Sequence, residues 1–283
     1  MKESWTVLAA VLLAMSAVQV NAQLSSENAT AAHPRLDGIW QALVPANWDI
    51  RPHAAAAGPV VSLGAIGAEP PGLGIVEGGE IPYQDWAKQK QMENYTNRYT
   101  LDPEIKCFMP GVPRANYMPQ PFQIFQTDEL VMLTYQYANA VRTVYMNDPG
   151  PAPTSFWMGW SVGHWEGDTL VVEVSKQKPD TWLDRAGNFH SAALRVTERY
   201  TLIDDNHLQY EATLEDPQVY TRPWKIAFPL YRRLEKDMRL LEFKCVPFVE
   251  EMMYGHLRKG AEQDETVEQF ETVEQVETRE NLP

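Results

Sequence analysis

From Pro121 to Cys245 the chain is written almost entirely in short runs that alternate apolar and polar residues between turn residues. These are Pro121–Gln126, Leu130–Ala138, Val141–Asn147, Met158–Trp165, Asp168–Ser175, Leu194–Leu202, His207–Leu214, Trp224–Leu230 and Arg239–Cys245. With Leu36–Trp40 they make about nine to ten strands, and no helical run separates most of them. That pattern predicts an all-β chain, an antiparallel up-and-down meander closed into a β-barrel, because closure removes the exposed edges of such a sheet. The clearest hairpin runs from Ser161 to Glu173, where Glu166-Gly167-Asp168 interrupts two β-rich runs with a glycine at the break.

A barrel of this size accounts for residues 36–261 as a single domain. Residues 1–22 read as an export signal, with Lys2 at the positive end, an apolar run from Trp5 to Val20 and small residues around Ala22. Residues 23–35 read as a disordered linker, 44–80 as a long loop crowded with Pro, Gly and Ala (a lid or an idle insertion), and 82–98 as a short N-terminal helix. Residues 262–283 read as a disordered acidic tail containing a duplicated Glu-Thr-Val-Glu-Gln. The net charge is −14, half of it in that tail, and no basic cluster answers it, so nucleic acid is excluded as a partner. No later stretch is long and apolar enough for a membrane span. The two cysteines, Cys107 and Cys245, are either a disulfide, as an exported chain favours, or two buried thiols. Oligomeric state is not legible in the sequence.

Period-two geometry nominates the polar residues that face inward. On Met158, Trp160, Val162 and His164, it puts His164 either on an apolar interior face or at the rim of its strand. On Leu194, Val196, Glu198, Tyr200 and Leu202, it puts the carboxylate of Glu198 among apolar side chains, where it is either a site residue or half of an ion pair with Arg142 or Arg199. On Val131, Leu133, Tyr135 and Tyr137, it brings two phenols inside. The loop from Asp180 to Ser191 gathers Trp182, Asp184 and His190, in which Asp184 orients His190 as an acid or base, or the loop is polar only because it is wet. The candidate catalytic set is therefore His190, Asp184, His164, Glu198 and Tyr135; Trp160, Trp182, Tyr137, Arg142 and Tyr200 are candidate substrate-binding residues. No phosphate loop, nucleophile elbow or metal-ligand spacing is present, so neither a cofactor nor a metal is expected.

The ordered motifs Val162-Gly163-His164-Trp165-Glu166-Gly167-Asp168-Thr169-Leu170-Val171-Val172, Thr181-Trp182-Leu183-Asp184 with Gly187 and His190-Ser191, Val196-Thr197-Glu198-Arg199-Tyr200, and Asp216-Pro217 with Tyr220-Thr221 and Pro223-Trp224 resemble a large family of exported bacterial proteins of unknown function. The resemblance runs from about Leu36 to Ala261 and implies a lipocalin-like barrel, without an established activity. Two departures stand out: His164 sits where Arg is usual, and Cys245 is followed by Val246-Pro247-Phe248-Val249-Glu250-Glu251 in place of His-Glu-Gly-Asn. The expectation is an exported, cofactor-free enzyme that encloses a small hydrophobic or aromatic molecule and performs acid–base chemistry of the isomerase, lyase or hydratase type. The alternative is a non-catalytic carrier or scavenger with the same cavity.

Overall fold

The structure is a computed structural model that describes residues 33–58 and 68–257. The expected signal, residues 1–22, most of the linker, the tip of the long loop and the acidic tail lie outside the described residues.

Nine strands close into one barrel in chain order: β1 (Gly38–Ala42), β2 (Phe122–Gln126), β3 (Leu130–Tyr135), β4 (Val141–Tyr145), β5 (Trp160–Glu166), β6 (Thr169–Ser175), β7 (Arg195–Asp204), β8 (His207–Glu215) and β9 (Trp224–Arg232). Alternation dictates the core. In β8 every second residue from Leu208 to Leu214 is buried, and β3 buries Val131, Leu133 and Tyr135 the same way. The β5–β6 hairpin forms where expected, with Gly167 at a φ of 60° in the two-residue turn between Glu166 and Thr169.

Two expectations need correction. The meander is not antiparallel throughout, because β4 and β5 pair in parallel through Val144↔Ser161 and Tyr145↔Val162. Around a closed ring of nine strands, strict alternation of direction must fail once. It fails where the chain between Tyr145 and Trp160, carrying Pro149, Pro151 and Pro153, is long enough to cross over instead of turning back. The second correction is that Arg239–Cys245 is not a strand. β9 pairs with β1 through Trp40↔Arg232, Gln41↔Tyr231 and Ala42↔Leu230, so no edge remains for it.

The decorations seal the barrel. Helix α1 (Asp85–Thr96) lies within the expected range and is followed by the single turn α2 (Arg98–Leu101). The described parts of the long loop fold back on themselves through His53↔Gly72 and Ala56↔Glu69, and reach β9 through Val76↔Ile226. A turn of 3₁₀ helix at Arg114–Tyr117 is buried along its whole length and enters the barrel. After β9 the chain runs back over the body to α3 (Val249–Tyr254), tied down by the Cys107–Cys245 disulfide. That bond spans 138 positions of sequence, a loop whose closure is worth about 5 kcal/mol on a chain-entropy basis. Among the described residues no helix is long and apolar enough to cross a membrane.

Candidate functional site

Three polar clusters matter, and the first fills the barrel interior. β7 buries Val196, Glu198 and Tyr200, as alternation requires, and β4 turns Arg142 inward to meet Glu198. The Arg142 guanidinium grips both carboxylate oxygens, with Nη1 donating to Oε1 at 3.1 Å and Nη2 to Oε2, while Nε donates to Ser161 Oγ at 2.8 Å. Glu198 Oε1 also accepts from Tyr200 at 2.9 Å, Tyr210 at 2.8 Å and the Asn116 amide at 3.0 Å. Asn116, carried in by the 3₁₀ turn, accepts from the Tyr135 hydroxyl at 2.9 Å. Burial, and then the Glu198 charge, raises the hydroxyls of Tyr200 and Tyr210 far above the usual phenol range. Burial works against the Arg142 charge, but Glu198 opposite it more than compensates and the guanidinium stays protonated. With donors from four residues around it and no exposed surface, this carboxylate is closed to a substrate. Glu198 is thus the ion-pair partner of Arg142, with Tyr135 and Tyr200 in the same closed network.

His164 is not inside. β5 turns Ser161 and Gly163 inward and leaves Trp160, Val162 and His164 on the outer face. The inward residues are small because of what they face: Ser161 takes a hydrogen bond from Arg142, and a Cβ on Gly163 would lie 2.7 Å from Val144 Cγ1. His164 is half exposed and meets Glu166, which also pairs with Arg199. Trp160 stacks outside the barrel between Tyr145 and Phe156, with ring centroids at 4.9 and 5.6 Å.

The second cluster is the loop from Asp180 to Ser191, where His190 and Asp184 are both buried and do not touch as base and orienter. His190 Nδ1 faces the Ser191 carbonyl at 2.8 Å and therefore carries the proton. Its Nε2 accepts from Thr181 Oγ1 at 2.7 Å and lies 3.0 Å from Gln177 Nε2. Burial lowers its pKa and keeps the ring neutral. Asp184 instead staples backbone: it accepts from the Ile50 amide at 2.9 Å, the Asn188 amide at 3.1 Å and Asn188 Nδ2 at 2.6 Å. Burial, and then the neighbouring Asp49 charge, pushes its carboxyl up to about 7. Trp182 is buried and bridges to Phe189.

The third cluster borders an open cleft of about 160 Å³ between the body and the C-terminal segment. The body supplies Tyr99, Glu104, Ile105, Gln120, Tyr137 and Arg185; the segment supplies Phe243, Cys245, Val246, Phe248, Glu250 and Glu251. Glu104 accepts from Arg185 Nε and Nη2, both at 2.8 Å, from Arg114 Nη2 at 2.6 Å and from Asn47 Nδ2 at 3.1 Å. Burial alone would raise Glu104, but Arg185 and then Arg114 hold it down at about 2. Tyr137 donates to the Glu104 carbonyl at 3.2 Å, and its ring lies 4.9 Å from Phe243. Gln120 Oε1 is buried with no hydrogen-bond partner. The segment is held by the disulfide, by the Phe248 amide on the Ile105 carbonyl at 2.8 Å and by Asn139 Nδ2 on the Phe243 carbonyl at 3.0 Å.

Of the residues nominated from sequence, Glu198, Tyr135, Arg142 and Tyr200 come together in the barrel interior, His190 and Asp184 share a loop without pairing, and only Tyr137 borders the cleft. Sequence reasoning missed Glu104, Gln120 and Arg185. The signal that pointed near them was the unusual stretch from Val246 to Glu251, which forms one wall of the cleft. Among the described residues no group of three His, Cys, Asp or Glu is placed to hold a metal ion. Compared with known proteins, the chain matches no family model, and no curated protein is significantly similar to it.

Proposed function

We propose that this chain is an exported small-molecule-binding protein that seats its ligand in the terminal cleft, outside the barrel interior. The observation that carries this reading is the cleft itself, a concavity with aromatic walls and a few convergent polar groups. The interior is a poor competitor, because its polar groups are already committed to one another and its apolar side chains are packed. Export is supported by the Cys107–Cys245 disulfide, which suits an oxidising compartment, and by the signal-like first 22 residues. The resemblance to exported barrel proteins points the same way.

A second reading, acid–base catalysis, draws on one observation: Asp184 is a buried carboxyl pushed to about 7, in the range a general acid uses. Against it stand the three N–H donors on Asp184 and the engagement of both ring nitrogens of His190. Native mass spectrometry of the protein purified gently from an exporting host, followed by denaturing extraction, separates the two. A bound small molecule returned chemically unchanged, and lost in Phe248→Ala, supports the binding reading. A bound molecule that is converted on incubation, with conversion abolished in Asp184→Asn, supports catalysis.

A further inference from the structure

We propose that the acidic tail of this chain, residues 262–283, docks on the surface around the Cys107–Cys245 disulfide. That surface is apolar and basic together. Phe108 and Val246, next to the two cysteines, are exposed, as are Phe248 and Val249 beyond them. Phe108 lies 4.8 Å from the ring of Trp157, and the Lys178 ammonium stands 4.7 Å over that ring. Phe156 holds Lys176 and Lys178 in place through backbone bonds of 2.9 and 3.0 Å. Two further lysines, Lys106 and Lys244, directly precede the cysteines.

Charge sets this surface apart in an acidic chain. Lys244 pairs with Glu242 at 3.2 Å and cancels. Among the described residues none of Lys106, Lys176 and Lys178 has a carboxylate partner, and Asp180, two residues past Lys178, offsets only one of the three. Glu250 and Glu251 belong to the cleft wall instead. Exposed apolar groups beside uncommitted cations mark an interaction surface.

The tail carries the complementary pattern. Val267, Phe270, Val273 and Val276 recur every third residue, and each is followed by a glutamate: Glu268, Glu271, Glu274 and Glu277. From Glu262 to Pro283 eight residues are acidic and one is basic. Reach is sufficient. Leu257, the last described residue, stands nine residues past Phe248, whose amide is held on Ile105. The compact turns of Val249–Leu257 keep it within about 15 Å of that anchor. The ten residues from Leu257 to Val267 extend to about 33–36 Å, enough to turn back over the disulfide. Exposed ion pairs contribute little singly, so burial of Phe270 and its neighbouring valines supplies the larger share, helped by the high effective concentration of a segment on the same chain.

Zero-length carbodiimide coupling joins a lysine amine to a carboxylate in direct contact. It tests the docking on the full disulfide-bonded protein at low concentration, read by peptide mass spectrometry of the monomer. Links from Glu268, Glu271, Glu274 or Glu277 to Lys106, Lys176 or Lys178 should exceed those to Lys88 and Lys225, exposed lysines elsewhere on the body, at least about fivefold. In the Phe270→Ser/Val273→Ser double variant that excess should fall at least about threefold. Equal yields at all five lysines overturn the docking. Links confined to dimers and lost on dilution overturn the assignment to the same molecule and give the surface to a second copy. An excess untouched by the double variant overturns the apolar half of the recognition.

Discussion

The barrel interior and the terminal cleft are both built on a glutamate held by arginine, and they differ in what is left over. Glu198 takes donors from Arg142, Asn116, Tyr200 and Tyr210 inside a packed barrel. Glu104 is equally saturated, by Arg185, Arg114 and Asn47, but its arginine stands at a wall open to solvent, beside an unanswered acceptor on Gln120. A closed network fixes geometry. The binding proposed here rests on the other network's standing at an open cleft. The lesson is that a buried charged group is no guide to function until its donors and acceptors have been counted.

The largest expected effect breaks the interior. Glu198→Ala leaves Arg142 buried without its counter-charge and should cost about 3–5 kcal/mol in denaturant unfolding. Replacing both partners with apolar residues of similar size should recover part of that loss, since it removes the orphaned charge. Next comes the tie between the two regions. Cys245→Ser should cost about 2–5 kcal/mol and abolish ligand binding, with the β signature in circular dichroism retained, because the barrel closes through β9 and β1 without the segment.

The Asp180–Ser191 loop and the cleft respond to pH with opposite sign. Asp184 is raised from 3.8 to about 7, so its folded form keeps a proton that the unfolded chain loses. The stability it contributes is fully present below its unfolded pKa and lost as pH rises through 7, with a slope of at most about 1.4 kcal/mol per pH unit. Glu104 is lowered from 4.5 to about 2, so its contribution is present above its unfolded pKa and lost as pH falls toward 2. Denaturation curves across pH 4 to 8 should therefore flatten in Asp184→Asn, and across pH 2 to 5 the acid-side loss should diminish in Glu104→Gln. The smallest effect is His164→Ala, an exposed outer-face change expected within about 0.5 kcal/mol of the parent.

Much of the barrel was legible because period-two alternation holds where the interior is apolar. It held for β7, which buries Val196, Glu198 and Tyr200. It failed on β5, because the side chain opposite is the Arg142 guanidinium, which needs small neighbours. The large apolar residues then face outward into the Tyr145–Trp160–Phe156 stack, and a rule equating apolar with inside picks the wrong face. The parallel β4–β5 pair had a readable signal in its proline-rich crossover. The cleft had almost none. Its walls come from residues 99 to 251, brought together by a disulfide and a few hydrogen bonds, and no local periodicity encodes such a meeting.

The most direct test of the division between the two regions is a side-chain and amide chemical-shift map recorded while the small molecule extracted from the gently purified protein is titrated back into the isotopically labelled protein. Ligand in the cleft predicts shifts concentrated at Tyr137, Arg185, Gln120 and Phe243 to Glu251, with the resonances of Ser161, Tyr200 and Tyr210 unmoved. Shifts centred on Ser161, Tyr200 and Tyr210 would place the ligand inside the barrel and contradict the account.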